Sequence, residues 1–407
     1  MKILGITAEY DPFHNGHAYH IREAKLRSGC DSLIVLMSGD FTQRGTPAIM
    51  DKYDRVEAAL KNGADVVIEL PVYCATASAE GFAEGAMRAM AALGVDTVSY
   101  GIECPEETEA SFQKTRESLH HAASFFAFES EEYQTFLKRR LAEGISYASA
   151  RWGAFTELSE DAAACPVSPN NTLAIEYEKA VLKENLPLEL LPVARTGSGY
   201  HDLTPGIYAS ATAIREQILS GKIPEESVPE NCLSRYRTLL PHAVTADDLS
   251  DALYAVLSLN SRTELTEYGD ITEDFAGRLL GVLDAPFLWS ELAAKLKERS
   301  HALSYVNRAL CHILLDIRKD DLASFRKSLP YLHVLGIRSG AEPVLSELSK
   351  SSTVPLLVRL LRDSASLPKE ASRLFQKELR ATALYNQLLY QKGYRAVPEL
   401  QRRFTVV

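Results

Sequence analysis

Four short apolar runs separated by helical stretches constrain this chain more than any other feature. They lie at 3–6 (ILGI), 32–37 (SLIVLM), 66–70 (VVIEL) and 95–100 (VDTVSY). Between them, 17–28, 51–62 and 79–93 carry apolar residues at helical spacing. Runs that are apolar throughout, rather than at every second residue, suit strands covered on both faces of a parallel sheet. Right-handed crossovers through the helices then build a doubly wound parallel α/β domain. Further on, 188–194 (LELLPVA) reads as a fifth strand and 210–219 as the closing helix, with a helical insertion at 106–157. The stretch 220–245 carries Pro224, Pro229 and Pro241 and little periodicity. The expected organisation is an α/β domain over 1–220, a linker over 221–245 and a mainly α-helical domain over 246–407. Within that last part, one apolar run stands out at 331–337 (YLHVLGI).

Composition narrows the class. A chain of 407 residues is long for one core, and 46% apolar with 24% charged residues is ordinary for a soluble globular protein. No uncharged apolar run approaches the ~18–20 residues of a membrane span, and the first apolar run is too short for a signal peptide. The six cysteines are scattered without a C-x-x-C pair, which argues against a zinc site or disulfide framework and for a reducing cytoplasm. A net charge of −10 speaks against general coating of nucleic acid but leaves local basic patches open.

The first strand runs into TAEYDPFHNGH, which sets His14 and His17 around Gly16 at a helix entrance. In an open α/β sheet, ligands bind beyond the carboxyl ends of the strands, where a helix start offers unpaired N–H groups and positive potential. Two imidazoles there would donate to anionic oxygens, and Gly16 would let a ligand approach the backbone. A plain helix cap with two surface histidines is the bland alternative. Metal-ligand spacing, a P-loop and G-x-G-x-x-G near the first strand are all missing. A second helix start, ASATAIR, brings Ser210, Thr212 and Arg215, two hydroxyls and a guanidinium suited to anions. Together the two starts would form opposing jaws for a polyphosphate.

The pair of H-x-G-H and S-x-T-x-I-R resembles the nucleotidyltransferases related to class I aminoacyl-tRNA synthetases. More closely, GITAEYDPFHNGHAYHI, MSGDFTQRGTPAI, SPNNTLAIEY and SATAIR look like the corresponding blocks of tRNA(Met) cytidine acetate ligases. The likeness runs in order through 1–220 and continues more weakly in YVNRALCHILL and YLHVLGIRSG. It implies a cytoplasmic enzyme that activates acetate with ATP as acetyl-adenylate, then acetylates N4 of the wobble cytidine of elongator tRNA(Met).

The resemblance places ATP along Thr7, Ala8, Glu9, Tyr10, Asp11, Pro12, Phe13, His14, Asn15, Gly16, His17, Ala18, Tyr19 and His20, and at Gly101, Asn170 and Arg195. His14 and His17 would stabilise charge at the α-phosphorus, while Ser210, Thr212 and Arg215 grip the leaving phosphates. Acetate needs a cation in a small pocket, and Arg44 in the loop after the second strand is the candidate. Asp40, Thr42 and Gln43 would shape that loop or meet the cytosine. Mg²⁺ is expected as the counter-ion of ATP, with no protein ligand assigned. Glu9 and Asp11 flank the motif as candidate proton acceptors, or merely orient the histidines.

Positive charge gathers late in the chain. Stretch 295–319 has six basic residues (Lys295, Lys297, Arg299, Arg308, Arg318, Lys319) against two acidic ones, and 369–407, with Arg402 and Arg403, has eight against three. Tyr305, Tyr385, Tyr390, Tyr394 and Phe404 are interleaved, as stacking on unpaired bases requires. With the resemblance, this becomes the expected tRNA-binding region; without it, a solvated helix face explains the runs equally well. Two rival readings share the phosphate motifs: a small-molecule adenylyl- or cytidylyltransferase, and a non-catalytic RNA-binding protein with a vestigial nucleotide fold.

Overall fold

The computed structural model describes residues 1–407 except 160, 161, 163, 164, 196–205, 299 and 300. Five strands, β1 (Ile3–Ala8), β2 (Ser32–Ser38), β3 (Val66–Leu70), β4 (Thr97–Ile102) and β5 (Glu189–Ala194), run parallel in the order β5-β4-β1-β2-β3. Along β2, Leu33, Val35 and Met37 enter one core while Ile34 and Leu36 enter the other. That is why the run is apolar at every position: both faces are covered. Ile21 and Ala24 of the helix Asn15–Ser28, Val56 and Leu60 of Lys52–Lys61 and Ile214 of Ala211–Leu219 fill one side. Ala79–Leu93, Glu109–Ala127 and Pro169–Glu184 fill the other, together with most C-terminal helices. The protein is a doubly wound α/β structure with a mainly helical C-terminal region.

The apolar run at 331–337 has a specific destination. It forms β6 (Leu332–Ile337), which pairs antiparallel with β3, Val66 opposite Ile337 and Glu69 opposite His333. Short strands β7 (Leu356–Leu357) and β8 (Thr405–Val406) then pair with β6. Residues from both ends of the chain thus share one eight-stranded sheet. The bare edge that β3 would otherwise expose is covered. The long helix Lys369–Gln391 lies against the same region: Glu378 accepts from Val72 N–H at 3.1 Å and Tyr385 donates to the Ala48 carbonyl at 2.8 Å.

Two boundaries differ from the sequence reading and matter below. The first helix starts at Asn15 with His14 as its cap, slightly earlier than spacing alone suggests. The fourth strand runs through Gly101 to Ile102, so Glu103, not Gly101, stands at its end. Among the described residues, no helix is long and apolar enough to cross a membrane, and all six cysteines are free thiols.

Candidate active site

The turn after β1 is built from local contacts. Tyr10 adopts φ 50°, the Asp11–Pro12 bond is cis, and the Tyr10 ring packs edge-on against Phe13 and His17. His14 caps the helix: its Nδ1 accepts from Gly16 N–H at 3.1 Å, while His17 Nδ1 accepts from His14 N–H at 3.2 Å. The two imidazoles stack with centroids 3.7 Å apart. Because each Nδ1 is an acceptor, the neutral rings must carry their proton on Nε2. Burial holds the His14 pKa down to about 3, helped by the charges of Arg195 and Arg215. Burial, with His14 and Arg195, also holds the His17 pKa well below its usual value, and with Arg195 it lowers His20 to about 4. The motif therefore presents neutral Nε2–H donors. Gly16 has a nearer reason than ligand approach: a Cβ there would lie 2.9 Å from His14 Cε1.

The second helix start stands beside the first. Ser210 caps Ala211–Leu219 by accepting from Ala213 N–H at 3.1 Å. Arg215 donates to Thr212 Oγ1 at 3.0 Å and to the Asp11 carbonyl at 2.5 Å, with the Asp11 carboxylate 3.5 Å away. Asn15 fastens the two segments from the other side, donating through Nδ2 to the carbonyls of Ile207 at 3.0 Å and Glu226 at 2.9 Å. Its amide hydrogens are thus engaged in holding the cleft wall. Tyr236 donates to the Phe13 carbonyl beneath the turn.

Toward β4 and β5, Gly101 lets Arg195 lie across the strand, since a Cβ there would come 3.0 Å from Arg195 Cγ. Asn170, in the first turn of the helix Pro169–Glu184, donates to the Glu103 carboxylate, and Arg195 Nε lies 3.6 Å from it. His20 pairs with Ser99 Oγ at 2.9 Å. Glu103 links Asn170 with Arg195, and sequence reasoning overlooked it. The available signal was an acidic residue just past a strand, at the sheet's carboxyl edge.

The loop after β2 closes tightly: Thr42 N–H donates to the Thr46 carbonyl at 3.0 Å and Ala48 N–H to the Asp40 carbonyl at 2.9 Å. Gly45, at φ 73°, packs so close to Asn307 and Arg308 that a Cβ would fall 2.3 Å from the Arg308 nitrogen. Gln43 N–H donates to Glu9 Oε1 at 2.6 Å, and Arg44 lies in electrostatic reach of that carboxylate. Burial raises the Glu9 pKa, opposed by Arg44 and the Gln43 bond. Asp11 accepts from Ile49 N–H at 2.7 Å, tying the loop's far end to the motif. Below, the buried Arg55 donates to the carbonyls of Glu9 at 2.7 Å, Ser38 at 3.0 Å and Met50 at 3.2 Å, and to that of Gly39. One guanidinium thus fixes the ends of β1 and β2 and the loop that follows.

Deeper still, Glu69, His333 and Glu399 come together in a geometry resembling a metal site. An ammonium already fills it: Lys52 Nζ lies 2.7 Å from Glu69, 2.8 Å from Glu399 and 3.7 Å from Asp40. Burial opposes the charge on Lys52, yet Glu399, Glu69 and Asp40 outweigh it and hold its pKa well above the usual value. The cluster is a charge network anchoring the loop through Asp40, not a cation cage. Nothing in the local sequence signalled either Lys52 or Arg55, because buried charges separate from solvated ones only once their partners are known.

Of the late cations, Lys295, Lys297, Lys319 and Arg403 are exposed. Arg318 is exposed but paired with Asp316 and Glu267, and Arg402 lies 3.8 Å above the Tyr53 ring. Arg299 lies outside the described residues. Arg308 is partly buried: its side chain is 13% exposed and faces Asp270 at 3.7 Å, so it presents less of its charge to solvent than its exposed neighbours do. Tyr385 is likewise buried and unavailable for stacking. A surface groove lined by Lys319, Leu322, Ala323, Arg326 and Lys327 adds two cations that the sequence reading did not single out.

A parallel sheet with an imidazole-capped helix start beside a hydroxyl-and-guanidinium one is the arrangement of a nucleotidyl transferase. The family described as HIGH Nucleotidyl Transferase matches residues 1–399, and the chain belongs to it. Within that class it is a member of the tRNA(Met) cytidine acetate ligases. It is 32% identical over 403 residues to the tRNA(Met) cytidine acetate ligase of Acetivibrio thermocellus, covering 95% of this chain and 94% of that one. Identity to the corresponding protein of Syntrophotalea carbinolica is 33% over 409 residues, covering 96% and 94%. Crystal structures of Thermotoga maritima TmcAL superpose with TM-score 0.90, both for the apo form (27% identity, covering 100% of this chain and 99% of that one) and for the form bound with alpha-thio ATP (26% identity, 100% of both).

Proposed function

We propose that this chain activates acetate with ATP and transfers the acetyl group to N4 of the wobble cytidine of elongator tRNA(Met). The observation that carries the reading is the joined pair of helix starts, with His14 and His17 offering Nε2–H donors and Arg215 bridging to Asp11. Kinship with the tRNA(Met) cytidine acetate ligases, and with a TmcAL bound with alpha-thio ATP, supports it.

In the first step an acetate oxygen attacks the α-phosphorus in line and pyrophosphate leaves. Such displacement depends on positioning and on charge stabilisation. His14 and His17 hold the phosphates, Ser210, Thr212 and Arg215 receive the leaving group, and Gly101, Asn170 and Arg195 line the nucleoside end. Arg44, on its tight loop, pairs with the acetate carboxylate. Mg²⁺ accompanies ATP as a phosphate counter-ion. In the second step the cytidine amine attacks the acyl carbon, the N4–C bond forms, the C–O bond to phosphate breaks and the amine loses a proton as AMP departs. The target base must leave the anticodon stack to reach the sheet mouth, while exposed cations such as Lys295, Lys297, Lys319 and Arg403 hold the RNA backbone.

Mass analysis of anticodon nucleosides after incubating elongator tRNA(Met), ATP and acetate with the protein is the test. Acetylated cytidine that requires both acetate and ATP is expected. Pyrophosphate release driven by a small metabolite, without tRNA, would instead identify a small-molecule nucleotidylyltransferase.

A further inference from the structure

We propose that Glu103 recognises the ribose of the bound nucleotide, its carboxylate accepting hydrogen bonds from the vicinal 2′- and 3′-hydroxyls. The inference rests on the ATP reading and deepens it. Glu103 follows β4 directly, and its backbone is held on both sides by the fully buried Asn171. The Glu103 N–H donates to Asn171 Oδ1 at 2.8 Å, and its carbonyl accepts from Asn171 Nδ2 at 2.9 Å. Such a double clamp fixes where the side chain begins.

The carboxylate itself is anomalous. It stands among the groups proposed to bind a polyanion: Asn170 donates to Oε1, Arg195 Nε lies 3.6 Å from Oε1, and Arg195 acts electrostatically on His14, His17 and His20. A negative charge at that place opposes the triphosphate unless it faces a neutral donor. Both contacts fall on Oε1; among the described residues Oε2 accepts no hydrogen bond, and the side chain is 22% exposed. An adenine amine and a sugar hydroxyl are the two neutral donors a nucleotide offers. Arg195 decides between them. It touches Glu103 and also acts on the phosphate-side imidazoles, and the group one step along a nucleotide from its phosphates is the ribose, not the N6 amine.

The test is calorimetric binding to the full-length protein of ATP, 2′-deoxy-ATP, 3′-deoxy-ATP and purine riboside triphosphate, which lacks the amine. Hydrogen bonds to a charged acceptor predict that the wild type binds ATP about 10- to 100-fold more tightly than either deoxy analogue. Discrimination should fall severalfold in Glu103→Gln, which keeps the shape and the bond to Asn170, and should vanish in Glu103→Ala. Purine riboside triphosphate should track ATP in all three proteins. Equal binding of ATP and both deoxy analogues by the wild type would overturn the inference while leaving ATP binding intact. So would undiminished discrimination in Glu103→Ala, or a Glu103-dependent penalty for the missing amine. A wild type that binds no ATP would overturn the ATP reading, and this inference with it.

Discussion

Replacing Lys52 by methionine tests the buried network most directly. Lys52 is 1% exposed, donates to Glu69 at 2.7 Å and to Thr382 Oγ1 at 3.2 Å, and lies 2.8 Å from Glu399 and 3.7 Å from Asp40. An exposed pair would cost ~0–1 kcal/mol to break. Here the change strands three carboxylates beside one another in the interior, for which about 3–5 kcal/mol is expected. At a urea slope of roughly 3 kcal/mol per molar, the unfolding midpoint should drop by about 1 M near pH 8. The pH dependence gives a second signature. Burial tends to raise the Glu69 pKa, but Lys52 and His333 pull it down to about 2, while Asp40 is left raised to about 6 by burial that Lys52 only partly offsets. Without Lys52 the opposing pull largely disappears and these carboxyls titrate above their unfolded values. The folded variant then binds more protons than the unfolded chain, so its deficit is full at high pH and shrinks as the pH falls toward 5. A midpoint shift below about 0.2 M, or a deficit that grows on acidification, would refute the reasoning.

Arg44→Ala should raise the acetate requirement about tenfold or more while changing ATP affinity little, as loss of one charge-assisted bond predicts; parallel losses in both would remove Arg44 from the acyl pocket. Because burial, Arg195 and Arg215 hold the His14 pKa at about 3 in the free protein, a triphosphate should raise it. ATP binding would then take up protons and strengthen between pH 8 and 6, measured by calorimetry in buffers of different ionisation enthalpy. His14→Asn should take up fewer, and equal uptake would place the linked proton elsewhere. Affinity for tRNA should fall steeply with salt, and Arg403→Glu should reduce the salt slope by about one unit or more; an unchanged slope would move the RNA path away from the C-terminal edge.

The parts of this protein that were legible in its sequence are those whose cause is local. The first four parallel strands announce themselves because both faces are covered, as the opposite destinations of Ile34 and Val35 show. His14 and His17 are readable because a cap and its reciprocal bond lie within three residues. The rest depends on long-range partners. Nothing within the six residues of β6 says that they pair with β3, since an isolated apolar run carries no address. Arg308 resembles its exposed neighbours until Asp270 and the close packing of Gly45 are known. Glu103 escaped notice because the strand before it runs two residues further than its apolar pattern, which put the glycine, and not the acid, at the sheet's mouth.

The pairing of β3 with β6 also bears on how the molecule comes into being. Lys52 meets Thr382 across 330 positions of chain, and Tyr53 donates to Glu399 across 346. On the ribosome, a nascent polypeptide emerging up to residue 331 carries the imidazole pair and all five parallel strands, but an open β3 flank and an ammonium that still lacks Glu399, one of its three counter-charges. The loop after β2 therefore acquires this anchor only once residue 399 has been made. Until then, the unfinished flank is a surface for chaperones to guard.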